Sequence, residues 1–338
     1  MIVTVTLNAA LDVTYTVARL ELHRSHRVTS VTEVAGGKGV NVASVLAGRG
    51  VPVIATGLLG GGTGERVRAD LDARGLAHRF SPCAGESRRA VTVVSEADGD
   101  ATVLNEPGPT VTDEEWQAFL ADLRALLAEV RPAVVVASGS LPRGIPTDAY
   151  AAVVRAAHEV GALAVVDSSA QALLAALPAN PDLVKPNRDE LAEVTGTADP
   201  VAGARALVER GAREVVVSAG PDGLVDVTAT GEVVRAGLEQ PLAGNPTGAG
   251  DAAVAALAAG LASGRGARDV LADAVAWSAA AVLHPLAGRV RPDDVDRLRP
   301  LVRLQQDPTG PSPGQSSPVQ PSPPQPSPQE GRRAHPAP

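Results

Sequence analysis

The segment Asn245-Pro246-Thr247-Gly248-Ala249-Gly250-Asp251 runs directly into an alanine-rich helical sequence over Ala252–Ala262. A glycine turn that opens a helix leaves the first N–H groups unpaired, and the helix dipole adds about half a positive charge there. The pattern predicts an anion site with the Asp251 carboxylate beside it. Such a carboxylate can take a proton from a hydroxyl while the amides stabilise a transferring phosphoryl group. The alternative is an ordinary glycine turn in which Asp251 is the N-cap.

Outward from this segment, short β-branched runs alternate with longer helical patterns. Strand patterns occur at Ile2–Leu7, Val51–Thr56, Ala133–Ser138, Ala162–Asp167, Asp182–Lys185 and Glu214–Ser218. Helical patterns occur at Gly39–Arg49, Thr63–Arg74, Thr112–Val130, Thr147–Val160, Asp189–Thr195 and Val201–Arg210. Nearly continuous hydrophobicity is typical of parallel strands that helices cover on both faces, so the sequence predicts an α/β fold with a doubly wound, mostly parallel sheet.

Two stretches, within about 14–34 and 89–105, alternate polar and apolar residues instead, and the second contains the turn Asp98-Gly99-Asp100. This alternation predicts antiparallel strands. A few such strands cannot close a core alone, so we expect a small sheet that projects as a lid or pairs with a second subunit.

Composition excludes several classes of function. The chain has 338 residues, 44% hydrophobic and 2% aromatic, with a net charge of −8. The small number of aromatic side chains and the negative net charge argue against a nucleic-acid-binding surface. The single cysteine, Cys83, excludes an internal disulfide and a cysteine-based metal cluster.

From the sequence we expect no targeting segment and no membrane span. The start Met1–Val5 lacks a basic region, so the cytoplasm is the expected location. The most apolar run, Ala252–Ala262, is too short to span a bilayer. The last residues, 307–338, are rich in Pro, Ser and Gln, which predicts a disordered tail after a folded domain over 1–306. A docking role for the tail is the alternative.

Four further clusters could bind ligands. The first is the glycine cluster over residues 35–43, in which Lys38 and Asn41 lie close together in a first helical turn; a lid hinge is the alternative. It is not a phosphate-binding GxxxxGK[ST] loop, because Gly39 follows Lys38. The others follow predicted strands, where open α/β sheets bind ligands, and span residues 138–142, 185–190 and 218–223. Helix caps, a capping pair or hairpin turns are the alternatives there.

Taken in this order, the motifs over about residues 1–300 resemble those of the ribokinase-like (PfkB) carbohydrate kinases. The resemblance implies that Asp251 is the catalytic base and that the amides of Gly248, Ala249 and Gly250 form the anion hole. It implies ATP and Mg²⁺ as cofactors, with Glu190 near the metal, and a β-sheet lid that often forms a dimer interface. The implied sugar-binding residues are Asp12, Gly36, Gly37, Lys38, Asn41 and Ser138, and the implied nucleotide-binding residues are Lys185, Asn187, Glu190, Ser218, Gly220 and Gly223.

Within that family, the opening residues 6–12 and the run 105–109 are similar to those of 1-phosphofructokinases and tagatose-6-phosphate kinases. A sugar that already carries a phosphate needs a second cationic site, for which Lys38 with Arg88, helped by Arg89, is the candidate. A solvated charge pair on the lid is the alternative. Ala90 and Thr92 differ from the residues that many 1-phosphofructokinases carry at these two positions, so the motifs identify the reaction more specifically than the substrate.

The leading hypothesis is therefore an ATP-dependent kinase that converts fructose 1-phosphate into fructose 1,6-bisphosphate. The nearest alternative is a tagatose-6-phosphate kinase. A kinase of neutral sugars or nucleosides comes third, and a catalytically silent sugar-phosphate sensor is the alternative from a different class.

Overall fold

The computed structural model describes residues 1–240, 242–284 and 286–306, so the predicted disordered tail over 307–338 lies outside the described residues. Ten strands of the described part form the main sheet: β1 (Ile2–Thr6), β4 (Val53–Leu59), β5 (His78–Pro82), β8 (Val134–Ser138), β9 (Leu163–Asp167), β10 (Leu183–Val184), β11 (Glu214–Ser218), β12 (Leu224–Thr228), β13 (Val233–Leu238) and β14 (Val302–Gln306). Their order is β14-β13-β12-β11-β10-β9-β8-β1-β4-β5. In this spatial order, all neighbouring strands between β5, at one edge, and β11 pair in parallel. Strands β12, β13 and β14 continue the sheet beyond β11 with antiparallel pairing. The predicted α/β fold is confirmed.

Helices cover both faces of the main sheet. They are α1 (Lys38–Gly48), α2 (Gly61–Ala73), α3 (Asp113–Val130), α4 (Ala149–Glu159), α5 (Ala170–Ala176), α6 (Arg188–Thr195), α7 (Pro200–Glu209), α8 (Ala249–Ala262), α9 (Ala267–Val282) and α10 (Pro292–Leu298). One apolar cluster lies under α1, α2, α8, α9 and α10, and a second lies under α3 to α7. None of the helices in the described ranges combines the length and hydropathy that a bilayer span requires.

Strand β1 shows why the parallel strands carry apolar side chains on both faces. Ile2 contacts the first apolar cluster, whereas Val3 and Val5 contact the second, and each side chain is fully buried. Burial of one such side chain stabilises the fold by about 1.5 to 3 kcal/mol, so both faces of the strand contribute. Helices cover both faces, so every residue of β1 is buried, including Thr4 and Thr6.

The lid is a separate sheet of four strands: β2 (Ala10–Val17), β3 (Val28–Gly36), β6 (Arg88–Ser95) and β7 (Asp100–Asn105). Their order is β3-β2-β6-β7, with antiparallel pairing within each hairpin. The prediction that all these strands are antiparallel is wrong, because β2 and β6 pair in parallel from Ala10 opposite Arg88. Both strands start shortly after parallel strands of the main sheet, β1 and β5, and therefore leave it in the same direction.

Several strands were not foreseen from the sequence. Strand β5 contains His78, Arg79 and Pro82, while charged residues such as Asp226 interrupt the hydrophobicity of β12. These strands lie at or near the edges of the sheet, where polar residues are tolerated. By contrast, the predicted helices agree with the observed ones to within three residues at each end, although α5, α9 and α10 were not predicted.

Candidate active site

A cleft of about 800 Å³ lies between the carboxyl ends of the main-sheet strands and the lid. Almost all of the sequence-predicted site residues line it, namely Asp12, Gly37, Lys38, Asn41, Arg88, Lys185, Asn187, Glu190, Ser218, Gly220, Gly223, Gly248, Ala249, Gly250 and Asp251. Gly36 and Ser138 lie behind this lining. The residues meet because the carboxyl ends of parallel strands share one edge of the sheet.

Asp251 lies in the first turn of α8 and is 7% exposed. Gly248 is the N-cap residue, with φ of 83° and no side-chain cap, so Asp251 is not the N-cap that the structural alternative required. The amide nitrogen Nδ2 of Asn41 donates to Asp251 Oδ2 at 2.9 Å. This bond leaves Oδ1 as the oxygen available to a substrate hydroxyl.

The amides at the start of α8 differ from the predicted set. The Ala249 N–H donates to the carbonyl oxygen of Pro246 at 3.2 Å, so it is already occupied. Within the described residues, the N–H groups of Gly248, Gly250 and Asp251 donate to no protein acceptor. Two of the three predicted donors are therefore free, and the Asp251 N–H is a further free donor beside the carboxylate.

Burial sets the protonation behaviour of Asp251. It raises the pKa of Asp251 to about 6, helped by the nearby Asp167 carboxylate. Lys38, the hydrogen bond from Asn41 and Lys185 act in the opposite direction. At neutral pH the carboxylate is mostly ionised, yet it is more basic than an exposed aspartate, which suits a general base.

Asp12 and Arg88 form the lid side of the cleft. Burial raises the pKa of Asp12 to about 6, while the Arg88 guanidinium acts to lower it and Asp251 to raise it. A Cβ at Gly36 would lie 2.1 Å from Asp12 Oδ2, so only glycine leaves room for this carboxylate. Gly36 therefore supports the site from behind.

The Arg88 guanidinium is held from one side only. Its Nε donates to the backbone oxygen of Asn8 at 3.0 Å, and no carboxylate of the described part lies within 4 Å. Its Nη groups make no hydrogen bond to the described protein. Burial lowers the pKa of Arg88, although Asp12 and Glu106 act to raise it. A half-buried cation with unused donors is suited to an anionic ligand.

Lys38 is already paired with two carboxylates of the cleft. Its Nζ is 3.5 Å from Asp167 Oδ1 and 3.7 Å from Glu190 Oε1. Asp167, followed by smaller effects of Glu190 and Asp251, holds the pKa of Lys38 above its ordinary value despite burial. That Lys38 and Arg88 together hold a substrate phosphate therefore stays a prediction: both line the cleft, but Lys38 is already paired whereas Arg88 makes no ion pair within the described residues.

Asp167 is a site residue that the sequence reasoning missed. It ends β9, is 1% exposed and lies 3.5 Å from the Nζ atoms of both Lys38 and Lys185. Ser138 is completely buried and donates to Asp167 Oδ2 at 3.2 Å, so it does not face the cleft as predicted. A charged residue at the end of an otherwise apolar strand was the signal that could have identified Asp167.

Asn187 and Glu190 form a capping box at the start of α6. Asn187 Oδ1 accepts from the Glu190 N–H at 2.7 Å, and Glu190 Oε2 accepts from the Asn187 N–H at 2.9 Å. Among the described residues, no group of three or more His, Cys, Asp or Glu could hold a metal. Mg²⁺ commonly uses one carboxylate, several waters and substrate phosphates, so Glu190 Oε1 fits such a site.

The far end of the cleft is apolar. Gly220 and Gly223 have positive φ angles in the turn after β11, and a Cβ at Gly223 would lie 2.1 Å from Ala236 O. Ser218 lies at the start of this turn. Opposite it the lining consists of aliphatic residues from β13, α9 and the segment between β13 and α8, including Leu238, Leu242, Val275, Ala279 and Val282. Such a slot suits a nucleotide base.

Comparisons with known proteins agree with this geometry. Residues 5–294 match the model of the pfkB family carbohydrate kinase. A tagatose-6-phosphate kinase of Staphylococcus epidermidis is 32% identical over 306 residues, which cover 88% of this chain and 97% of the relative.

Solved structures are similar over the same length. Phosphofructokinase-2 of Escherichia coli, solved with potassium, superposes with a TM-score of 0.82 at 28% identity, covering 88% of this chain and 98% of that one. Other structures of that protein contain fructose 6-phosphate or show a tetrameric inhibited form. A protein of Thermotoga maritima, named as a possible 1-phosphofructokinase, superposes with a TM-score of 0.79 at 25% identity, covering 91% and 100%.

Proposed function

Because this chain belongs to the pfkB family of carbohydrate kinases, we propose that it transfers the γ-phosphoryl group of ATP to the 6-hydroxyl of fructose 1-phosphate. The products are fructose 1,6-bisphosphate and ADP. At the coarser level the chain is a sugar-phosphate kinase, a phosphotransferase that acts on a sugar hydroxyl. The specific sugar phosphate is the part that we propose.

Asp251 supplies the base in this reaction. Its carboxylate takes the proton of the attacking hydroxyl as the oxygen–phosphorus bond forms and the bond to ADP breaks. The unpaired N–H groups of Gly250 and Asp251 lie beside it and stabilise charge on the transferring group. The Nζ of Lys185 lies 3.5 Å from where a Cβ of Gly250 would be, which places a cation at the same point.

Arg88 is the observation that carries the choice of a phosphorylated substrate. It is the cleft cation that makes no ion pair within the described residues, whereas Lys38 and Lys185 are both paired with Asp167. A phosphate would provide the acceptors that its Nη groups lack. Asp12 interacts electrostatically with both Arg88 and Asp251, and its carboxylate is suited to bind a sugar hydroxyl.

ATP fits the remainder of the cleft. Its base would lie in the apolar slot between the turn after β11 and α9, and its phosphates would point towards α8 and Lys185. We propose that Glu190 Oε1 binds the Mg²⁺ that accompanies ATP. That ion would supply charge neutralisation of the phosphates.

Tagatose 6-phosphate is the second candidate substrate, favoured by the relative from Staphylococcus epidermidis. A coupled assay of ADP release with fructose 1-phosphate, tagatose 6-phosphate, fructose 6-phosphate and fructose separates the candidates. We expect the highest kcat/KM with fructose 1-phosphate. A clear preference for tagatose 6-phosphate would transfer the assignment to that substrate, and no transfer to any sugar phosphate would contradict the proposed function.

Two adjacent arginines provide a matched test of the phosphate site. Arg88→Met should lower kcat/KM for the sugar phosphate by about ten- to more than a hundredfold relative to fructose, since a charge-assisted contact contributes roughly 1.5 to 3 kcal/mol. Arg89 is half exposed and lies 3.6 Å from Glu106, so Arg89→Met should lower the same kcat/KM by less than about fivefold. Equal losses for fructose and its phosphate in Arg88→Met would place the phosphate elsewhere.

We also propose that the lid pairs with the lid of a second copy of the chain. Its strands expose apolar side chains, with Val31 at 56% and Leu104 at 59% exposure. An exposed apolar sheet is typical of an interaction surface. Sedimentation should show a dimer that Val31→Asp with Leu104→Asp converts to monomers, and a monomeric wild-type protein would contradict this assembly.

A further inference from the structure

A buried carboxylate next to the cleft has no role in the proton transfer described above. Asp167 is 1% exposed, and its Oδ1 lies 3.5 Å from both Lys38 Nζ and Lys185 Nζ. Its Oδ2 accepts the hydrogen bond of Ser138. Burial alone would raise the pKa of Asp167, but Lys185, Lys38 and the Ser138 hydroxyl outweigh it and hold the pKa below its ordinary value. Asp167 is therefore an ionised group between two cations.

The two ammonium groups stand where phosphoryl transfer would occur. Since each is 3.5 Å from the same oxygen, they are at most twice that distance, about 7 Å, apart. Lys185 is 3% exposed and lies against Gly250 in the first turn of α8, and Lys38 lines the cleft. Charge-assisted N–H···O bonds are about 2.7 to 2.9 Å long, so one phosphoryl group can contact both cations.

We propose that Asp167 is a positioning residue that holds the ammonium groups of Lys38 and Lys185 together beside the start of α8, as a two-point clamp for the transferring phosphoryl group. This inference rests on the proposed function. Lysine is a point charge on a flexible stem, and two like charges this close repel each other. The shared carboxylate removes that repulsion and sets the position of both.

The same carboxylate acts on Asp251. The groups that face Asp251 are the carboxylates of Asp167 and Asp12, the ammonium groups of Lys38 and Lys185, and the Asn41 amide. Besides burial, Asp167 raises the pKa of Asp251, whereas the two lysines lower it. Removal of the Asp167 charge should therefore let Asp251 remain ionised at lower pH. A residue that served the fold alone would not have this effect.

Asp167→Asn is the direct test in the full-length protein. We expect kcat to fall by about a hundredfold, the loss typical of a misplacement of about 1 Å. Adenylyl imidodiphosphate, a non-hydrolysable ATP analogue, should bind more tightly, because a negative charge near its phosphates is gone. The acid limb of the pH profile of kcat/KM should move to lower pH by about one pH unit.

Asp182→Asn is the matched control. Asp182 is also a buried carboxylate, 9% exposed, with His158 Nε2 at 2.9 Å and Arg213 Nη1 at 2.9 Å, but it lies at the opposite end of β10. Its loss should lower the melting temperature and leave both the acid limb and analogue binding unchanged. If Asp167→Asn behaves like this control, Asp167 is structural and the inference is overturned.

A second variant covers the case in which Asp167→Asn does not fold. Lys38→Met removes a partly exposed cation that lowers the pKa of Asp251, so the acid limb should move to higher pH. An unmoved limb would overturn the inference. In the double variant Asp167→Asn with Lys38→Met, kcat should be no lower than in Asp167→Asn alone, because the two residues act through one another.

The readouts separate this inference from the proposed function. A wild-type protein that transfers nothing to any sugar phosphate would contradict the proposed function alone. Binding of adenylyl imidodiphosphate by calorimetry would then decide the role of Asp167. Tighter binding in Asp167→Asn, with unchanged binding in Asp182→Asn, supports the clamp, and unchanged or weaker binding in Asp167→Asn overturns it.

Discussion

Asp251→Asn should produce a protein that is less active and more stable. Asparagine has nearly the same shape, and its amide oxygen can still accept the hydrogen bond that Asn41 donates to Asp251. It cannot take a proton from the sugar hydroxyl. We expect kcat to fall at least about a hundredfold, the lower end of what a positioned general base contributes, with KM for both substrates nearly unchanged.

The gain in stability follows from the raised pKa of Asp251. Burial raises it from 3.8 to about 6. A raised pKa means that the folded state favours the protonated form, so this contribution to stability is fully present below pH 3.8 and is lost as pH rises through about 6. At about 1.4 kcal/mol per pH unit, the ionised carboxylate destabilises the fold at pH 7 by about 3 kcal/mol, as an upper bound.

Asparagine has no such charge, so its free energy of unfolding at pH 7 should exceed that of the wild type by up to about 3 kcal/mol. The difference should shrink as pH is lowered from 7 to 5. Urea denaturation at pH 5, 6, 7 and 8 measures it, and a coupled assay of ADP release at saturating substrates measures kcat. The wild-type kcat/KM should fall as pH drops below about 6, since Asp251 is then protonated.

Two outcomes would refute this reasoning. Turnover within about tenfold of the wild type would show that another group accepts the proton. A loss of stability at pH 7 would show that the carboxylate stabilises the helix start in the way a structural cap does, which is typically worth about 1 kcal/mol.

Three further changes test other parts of the structure. Lys38→Met should lower kcat for fructose 1-phosphate and for fructose by the same factor, because its ammonium is paired with Asp167 and in the proposed clamp contacts the transferring phosphoryl group, which both reactions share; a loss confined to the sugar phosphate would contradict this. Burial and Glu214 raise the pKa of Asp226 to about 8, so its contribution to stability is lost as pH rises to that value. Asp226→Asn should therefore raise the melting temperature at pH 9 but not at pH 4, and an equal change at both would refute the assignment. Removal of residues 308–338 should leave melting temperature and kinetics unchanged, because a Pro- and Ser-rich sequence buries little apolar surface; a loss of either would show that the tail docks on the kinase.

The sequence was sufficient for the central part of the sheet and for most of the helices, but not for α5, α9 and α10. Strands such as β1 carry Val and Ile on both faces because both faces are covered, and α3 begins at a capping box of Thr112 with Glu115, so both signals are local. The parallel pairing of β2 with β6 was missed, since it joins segments almost 80 residues apart. No local sequence pattern indicates whether two distant segments leave a sheet in the same direction.

For the site, most of the residues that gather at the cleft could be recognised from local signals, because strand ends and a glycine-opened helix start have local patterns and parallel strands end at one edge. How their side chains pair depends on the folded arrangement. Lys38 contacts Asp167, Ser138 is buried beneath that carboxylate, and Asn41 holds Asp251. These contacts join side chains that are up to 210 residues apart, and their charges and burial, absent from any single segment, are what raise the pKa of the proposed base.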